Sequence, residues 1–179
     1  LSGFTKSEGK VEGTISSPQI SAKATLKKGN ILGVKVDEIN TQAFYKNRIL
    51  EFKNAKASLY GGFAQIHLWV TLPKVIKHYV FIDMDNVSSN GIFEFIHWNP
   101  NIAEGIVKGW LISEGEKFSP KGSFVYLKKS QKTDDLRGKI EWIKGDFKST
   151  NEVYKFSSLE IALSKTRVEA NGYIDIRDN

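Results

Sequence analysis

The sequence predicts an all-β fold, with about ten to twelve strands in one antiparallel meander, and three observations carry that reading. Apolar and polar residues alternate over most of the chain, the period of a strand with one covered face. Turn residues punctuate the alternation at hairpin spacing. Only one stretch, Val87 to Trp98, leaves the two-residue period for a helical one.

The clearest strand runs from Gly61 to Leu72. Ala64, Ile66, Leu68, Val70 and Leu72 point to one side of an extended backbone, and Phe63, Gln65, His67, Trp69 and Thr71 to the other. Upstream, Gly9 to Ile15 alternates, and Ser16-Ser17-Pro18 is expected to end it because Pro18 has no amide to donate. Ile20, Ala22, Ala24 and Leu26 then share a face opposite Ser21, Lys23, Thr25 and Lys27, and Lys28-Gly29-Asn30 turns the chain. From Leu32 to Tyr45 the parity changes near Asp37-Glu38, which suggests a bulge or a short break. Lys46-Asn47 is a hairpin candidate, and Leu50, Phe52, Ala55, Ala57 and Leu59 lead into Gly61-Gly62.

After Pro73-Lys74, Ile76, His78, Val80, Ile82 and Met84 alternate with Lys77, Tyr79, Phe81, Asp83 and Asp85. A short helix near 88–97 follows, with Ser88 or Ser89 as its cap, Ile92, Phe93, Phe95 and Ile96 as its stripe, and Asn99-Pro100 as its stop. It would plug one end or edge of the sheet. Val107 and Leu111 belong to a strand whose Gly-x-Val-x-Gly-x-aliphatic spacing repeats that of Gly9 to Ile15. Gly122 to Leu127 comes next, then a polar loop from Lys128 to Asp135, then Leu136, Gly138, Ile140 and Trp142. The last hairpin sets Leu159, Ile161 and Leu163 against Val168, Ala170, Gly172, Ile174 and Ile176. No composition break marks a linker, so residues 1–179 read as one domain.

Composition narrows the chemistry. With 0 cysteines there are no disulfides, thiolate metal sites or cysteine nucleophiles. The net charge of +6 comes from lysines scattered through the strands, among them Lys23, Lys53, Lys108 and Lys155, which fits a solvated outer face and not a nucleic-acid surface. Motifs for nucleotide, metalloprotease or serine-hydrolase chemistry are missing, and no cofactor is expected. His67 and His78 could meet across the Pro73 turn but lack nearby carboxylates on the same face for a metal site. Asp83 and Asp85 share a strand face that could bind a cation or act as an acid-base pair but, two residues apart at a strand end, read as solvated charges. The tryptophans Trp69, Trp98, Trp110 and Trp142 are either core anchors or rim residues. No run reaches the roughly 18 apolar residues of a membrane span, and no signal peptide opens the chain. The chain starts at Leu1 with Met84 as its only methionine, so a piece of a longer polypeptide is expected, with any anchor lying outside it.

The Gly-x-Val-x-Gly-x-aliphatic strands, the Ser-Pro turn before an alternating strand, the Ala57-Ser58-Leu59-Tyr60-Gly61-Gly62 approach to the long strand, and the closing Phe156 to Leu163 and Ala170 to Asp175 segments together resemble the AsmA-like superfamily of TamB-type periplasmic proteins. The resemblance covers nearly the whole chain. It implies a taco-like half-pipe with a continuous apolar groove, in a periplasmic protein anchored in the inner membrane of a Gram-negative envelope. It also implies no catalytic motif, phospholipid or another acyl-chain lipid as cargo moving between the membranes, and assembly of outer-membrane β-barrel proteins as an alternative task.

Three readings follow. The first is a non-catalytic lipid conduit whose groove is lined by Ile20, Ala22, Ala24, Leu26, Ala64, Ile66, Leu68, Val70, Leu72, Val107, Leu111, Leu159, Ile161, Leu163, Val168 and Ile174. The second is a chaperone or scaffold that offers strand edges to outer-membrane proteins. The third is a closed barrel around a small apolar ligand, which requires the first strand to pair with the last.

Overall fold

A computed structural model describes residues 2–31, 34–72, 77–95, 104–129, 140–150 and 153–175. Eleven strands stand in chain order in one antiparallel sheet: β1 (Ser2–Thr14), β2 (Ser17–Ile31), β3 (Val34–Lys46), β4 (Ile49–Leu59), β5 (Gly62–Thr71), β6 (His78–Ser88), β7 (Gly105–Gly115), β8 (Lys121–Lys128), β9 (Ile140–Thr150), β10 (Val153–Leu163) and β11 (Thr166–Asp175). The helix α1 (Ser89–Phe95) lies between β6 and β7. Among the described residues the sheet is curved and does not close, so the antiparallel meander expected from the alternation, with the half-pipe curvature that the resemblance implies, is the architecture found. Among the described residues β1 pairs with β2 alone and β11 with β10 alone, which rules out a closed barrel.

Local chemistry explains the turns. The β3–β4 hairpin turns on Asn47 and Arg48, at φ 51° and 64°, and the β4–β5 hairpin on Tyr60 and Gly61, at 48° and 74°. Two successive positive φ values give a two-residue loop whose twist matches the flanking strands. The first of these turns falls one residue later than the Lys46-Asn47 expected. The strand break expected at Ser16-Ser17-Pro18 is a turn at 15–16, with β2 already begun at Ser17. Pro18 is tolerated there because it pairs with Gly13 at the end of the β1 ladder, and the β3 ladder starts only at Ile20.

Opposed residues of an antiparallel pair share a face, so the registers divide the side chains into two sets across all the strands. On the inner face, for example, Ala43, Phe52, Leu68, Val80 and Ser113 form one row. Four interruptions keep the strands in phase. On β4, Phe52 and Ala55 are an odd number of residues apart, but Asn54 at φ 50° bulges out and restores Ala55 to the inner side. Asn86 at φ 58° does the same between Met84 and Val87, and Ser158 at φ 55° between Phe156 and Leu159. The parity change expected near Asp37 is matched on the partner strand by Lys28 at φ 49°, and the ladder resumes with Gly29 opposite Val36.

Almost all buried apolar residues belong to the inner set: Leu26, Val36, Ala55, Ala57, Ala64, Val87, Val107 and Tyr126. In a single-layer sheet, side chains bury one another only where they lean together, so this burial marks the concave side. Val36, Ala57 and Ala64 form its densest patch, with Ile39, Leu59, Ile66, Ile82 and Met84 packed around them.

The helix starts at Ser89, within the span 88–97 expected, and residues 96–103, including Trp98 and the Asn99-Pro100 stop, lie outside the described residues. The Ser89 hydroxyl, one of the two expected caps, accepts a hydrogen bond from the Gly105 amide at 3.0 Å and so ties the start of α1 to β7. The rim is further fixed by Gly91, where any Cβ would strike the Tyr60 ring, and by the Tyr60 hydroxyl, which accepts from the Lys35 amide at 3.1 Å. Of the expected polar loop, Lys128 lies in β8, and residues 130–139 are outside the described set.

A Cβ on Gly62 would come within 2.5 Å of the backbone of the Asn86 bulge, while nothing lies within 4 Å of one on Gly61. Gly62→Ala should therefore destabilise the fold by about 1–3 kcal/mol in urea titrations. Gly61→Asn should stay within about 1 kcal/mol of wild type, because Asn tolerates the left-handed region. Equal losses at the two positions would contradict this geometry.

Candidate functional site

The candidate site is the inner face itself. All sixteen sequence-predicted lining positions fall on it. Ile20, Ala22, Ala24 and Leu26 of β2 stand opposite Val11, Gly9, Ser7 and Thr5 of β1. Ala64, Ile66, Leu68 and Val70 of β5 face Ala57, Ala55, Phe52 and Leu50 on one side and Met84, Ile82, Val80 and His78 on the other. Leu72 continues that parity just beyond β5, where its amide donates to the Arg48 carbonyl at 2.8 Å. Val107 and Leu111 face Val87 and Ile82, and Leu159, Ile161, Leu163, Val168 and Ile174 line the last hairpin. Most of these side chains are only half-buried, and Ile20, Leu72 and Val168 are 39%, 39% and 40% exposed. No second layer covers them among the described residues. One open apolar hollow on this surface is bounded by Ile20, Ala43, Tyr45 and Leu50.

Sequence reading missed the character of the second half of this face. From β8 to β10 it is floored by Phe124, Phe147, Phe156 and Tyr154, with ring centroids 6.2–6.4 Å apart. Glycines on neighbouring strands make room for these and other large side chains. A Cβ on Gly105 would strike the Tyr126 ring, one on Gly122 the Phe147 ring, and one on Gly145 the Leu159 side chain. Burial in this packing pushes the Tyr126 phenol above its ordinary pKa. The signal that could have found them is a glycine at inner parity, which leaves space for a large residue across the ladder.

One cluster of polar groups on the inner face lies at a strand end. His78 Nε2 lies 3.0 Å from the Ser113 hydroxyl, which also accepts from the Ser119 amide at 3.0 Å, and the Ser119 hydroxyl donates to the Ser149 carbonyl. Ser113 is 1% exposed, so this cluster satisfies buried polar atoms where the β7–β8 turn folds inward.

The outer face is of a different kind. His67 sits there, 3.1 Å from Glu51, so it and His78 lie on opposite sides of the sheet and cannot share a metal. Burial pushes the Glu51 carboxyl up, but its hydrogen bonds to His67 and Lys53 outweigh that and hold it below its ordinary range. Asp85 pairs with Lys108 at 2.8 Å, and Asp83 stands opposite Gln65 and Trp110, so the two aspartates do not converge. Cross-strand pairs Lys27–Glu38 and Lys144–Glu160, at 3.5 and 2.9 Å, continue the pattern. Each such exposed pair contributes at most about 1 kcal/mol. Among the described residues no group of three metal-ligating side chains forms.

The described tryptophans are outer-face residues. Trp69 stacks on Tyr79 with a 6° interplanar angle, and Trp110 is 41% exposed. The cations of Lys144 and Arg167 lie 5.6 and 5.7 Å from the Trp142 ring, and Ala162, opposite both Trp142 and Arg167, is buried.

Fold and site together define an open, single-layer β half-pipe with one continuous apolar face and one charged and aromatic face. Compared with known proteins, the chain matches no family model, no curated protein and no solved structure.

Ile66 and Gln65 are adjacent in sequence and lie on opposite faces. In titrations with an environment-sensitive apolar dye, Ile66→Asp should lower binding several-fold, whereas Gln65→Asp should leave it near wild type. Similar losses from the two would mean that the dye does not read the inner face.

Proposed function

We propose that this chain is a non-catalytic lipid-conducting segment whose inner face carries acyl chains, in an AsmA-like, TamB-type protein of the Gram-negative periplasm. The observation that carries the reading is the apolar face, which no second layer covers among the described residues and which compensating bulges keep in phase from β2 to β11. A sheet with one apolar face ordinarily buries it against another layer. Here that face is left for an occupant that is itself apolar, and each methylene moved out of water onto it gains about 0.8 kcal/mol. The lining suits a mobile chain. Isoleucine, leucine, valine and alanine offer no strong polar contact over most of the surface, so no single position traps the cargo.

A second reading is a scaffold that receives strands of unfolded outer-membrane β-barrel proteins by main-chain pairing, supported by β1 and β11 each having one neighbouring strand among the described residues. The two readings place the important groups differently, in side chains of the inner face or in the backbone of an edge.

Photo-crosslinking residues at Ile66, Leu68 and Ile161 should capture phospholipid in cells, and one at outer-face Trp110 should not. Leu68→Asp should lower lipid transfer between donor and acceptor vesicles several-fold more than Lys53→Asp, which changes the outer face. Absence of lipid at all three inner positions in a functional protein would sink the conduit reading. Val168→Pro on β11 costing more than Leu68→Asp would favour the scaffold.

A further inference from the structure

Register brings together lysines that are far apart in the chain. Lys121 of β8 stands directly opposite Lys148 of β9, and Lys148 directly opposite Lys155 of β10. Their chain neighbours Gly122, Phe147 and Phe156 belong to the inner face, so the three lysines form one row on the outer face. All three are exposed. Opposed residues on one face have Cβ atoms about 5 Å apart, and like charges in that position destabilise a sheet.

The rest of the outer face avoids this arrangement. Lys23 stands opposite Glu8, Lys27 opposite Glu38 and Lys144 opposite Glu160. Where Glu160 also meets Glu169, Lys144 supplies a counter-charge at 2.9 Å. In the described ladders no other lysines are directly opposed. The row of three has no such compensation, because among the described residues its ammonium groups form no ion pair or hydrogen bond. Its register neighbours on one side are Asp83, Trp110, Ser123 and Asp146, themselves a row across β6 to β9. The carboxylates of that row bound the cationic strip without neutralising it.

Shape and flanking residues say what would supply the missing negative charge. The row lies on the convex side, where a small anion has no enclosing walls, whereas a broad array of anions reaches all three ammonium groups at once. Tyr173, opposite Lys155 at the end of the row, is 73% exposed. An exposed tyrosine beside cations has the apolar ring and polar tip that suit the headgroup level of a bilayer. Single-stranded nucleic acid would instead call for rings interleaved with the cations as stacking platforms. We propose that Lys121, Lys148 and Lys155 form a membrane-docking site that binds the phosphate groups of anionic phospholipids at a bilayer surface. The acidic row beside it keeps such headgroups away from Trp110. Docking through the outer face does not depend on what the inner face carries.

Flotation of the 179-residue chain with phosphatidylcholine vesicles, with and without added phosphatidylglycerol, tests it. The wild type should bind the anionic vesicles about tenfold or more tightly than the neutral ones, and less as salt is raised. Lys121→Gln, Lys148→Gln and Lys155→Gln together should weaken that binding by about tenfold or more. Lys10→Gln, Lys23→Gln and Lys56→Gln together remove the same charge from elsewhere on the outer face and should stay within about twofold of wild type. Because opposed like charges are relieved, the row variant should unfold in urea no earlier than wild type, which separates lost docking from lost folding. Leu68→Asp on the inner face should leave docking unchanged. Equal binding to the two kinds of vesicle, equal losses from the two triple variants, or earlier unfolding of the row variant would overturn the proposal. So would tighter binding of a single-stranded oligonucleotide than of anionic vesicles through the same lysines. A chain that captures lipid on its inner face yet ignores the charge of the vesicle would overturn the docking site and leave the conduit reading standing.

Discussion

Phase governs this structure. Side chains alternate along a strand, so a single unmatched residue moves everything after it to the other side of the sheet. An eleven-stranded sheet with one apolar face therefore has to hold that alternation in step along every strand. Asn54, Asn86 and Ser158 each take a left-handed backbone conformation where the apolar spacing would otherwise fall out of step, and Lys28 does so where β2 and β3 change parity together. The extra residue is pushed out of the ladder and the apolar residues stay inside. Asparagine suits the role because it enters this region more readily than most residues. Bulges also bend and twist the strands that carry them. The devices that preserve the apolar face thus contribute to its curvature.

With no second layer among the described residues, stability comes from within the sheet. In the first half, small residues let neighbouring side chains close over the centre, as Val36 does with Ala57 and Ala64. In the second half, rings lie over glycines, with Tyr126 on Gly105 and Phe147 on Gly122. The outer face contributes differently, through cross-strand ion pairs and stacked rings that tolerate water on one side. Each outer pair contributes little. Together they keep a wide sheet soluble on one face while the other stays apolar.

Much of the fold is legible in the amino-acid sequence. The segment from Gly61 to Leu72 reads as a strand from alternation alone, and its inner residues are the ones found at the middle of the apolar face. The sixteen lining positions are legible for the same reason, because parity along one strand needs no knowledge of the others. Less legible are Tyr126, Phe124 and Phe147. Their inner position follows from parity, but their importance comes from glycines on adjacent strands, a cross-strand relation that the linear sequence does not display. The tryptophans are ambiguous in the sequence because an aromatic ring fits a core, a rim or a charged outer surface equally well by composition. Register puts Trp69, Trp110 and Trp142 on the outer side. The histidines look like neighbours across a turn, but register sets His78 opposite Val70, whose side chain points away from the His67 side of β5.

Strand period is a local property of the backbone, and so the all-β class, the residues of each strand that share a side, and the apolar character of one side all follow from the order of residues alone. Three further outcomes belong to the assembled sheet: among the described residues the strands pair strictly with their chain neighbours, β1 and β11 remain apart, and no second layer covers the apolar side. Those outcomes depend on curvature summed over eleven strands, set by twist and by bulges whose effect accumulates across the sheet. The alternation of a sealed barrel and that of an open half-pipe are the same; the angle through which the sheet has turned by its last strand separates them.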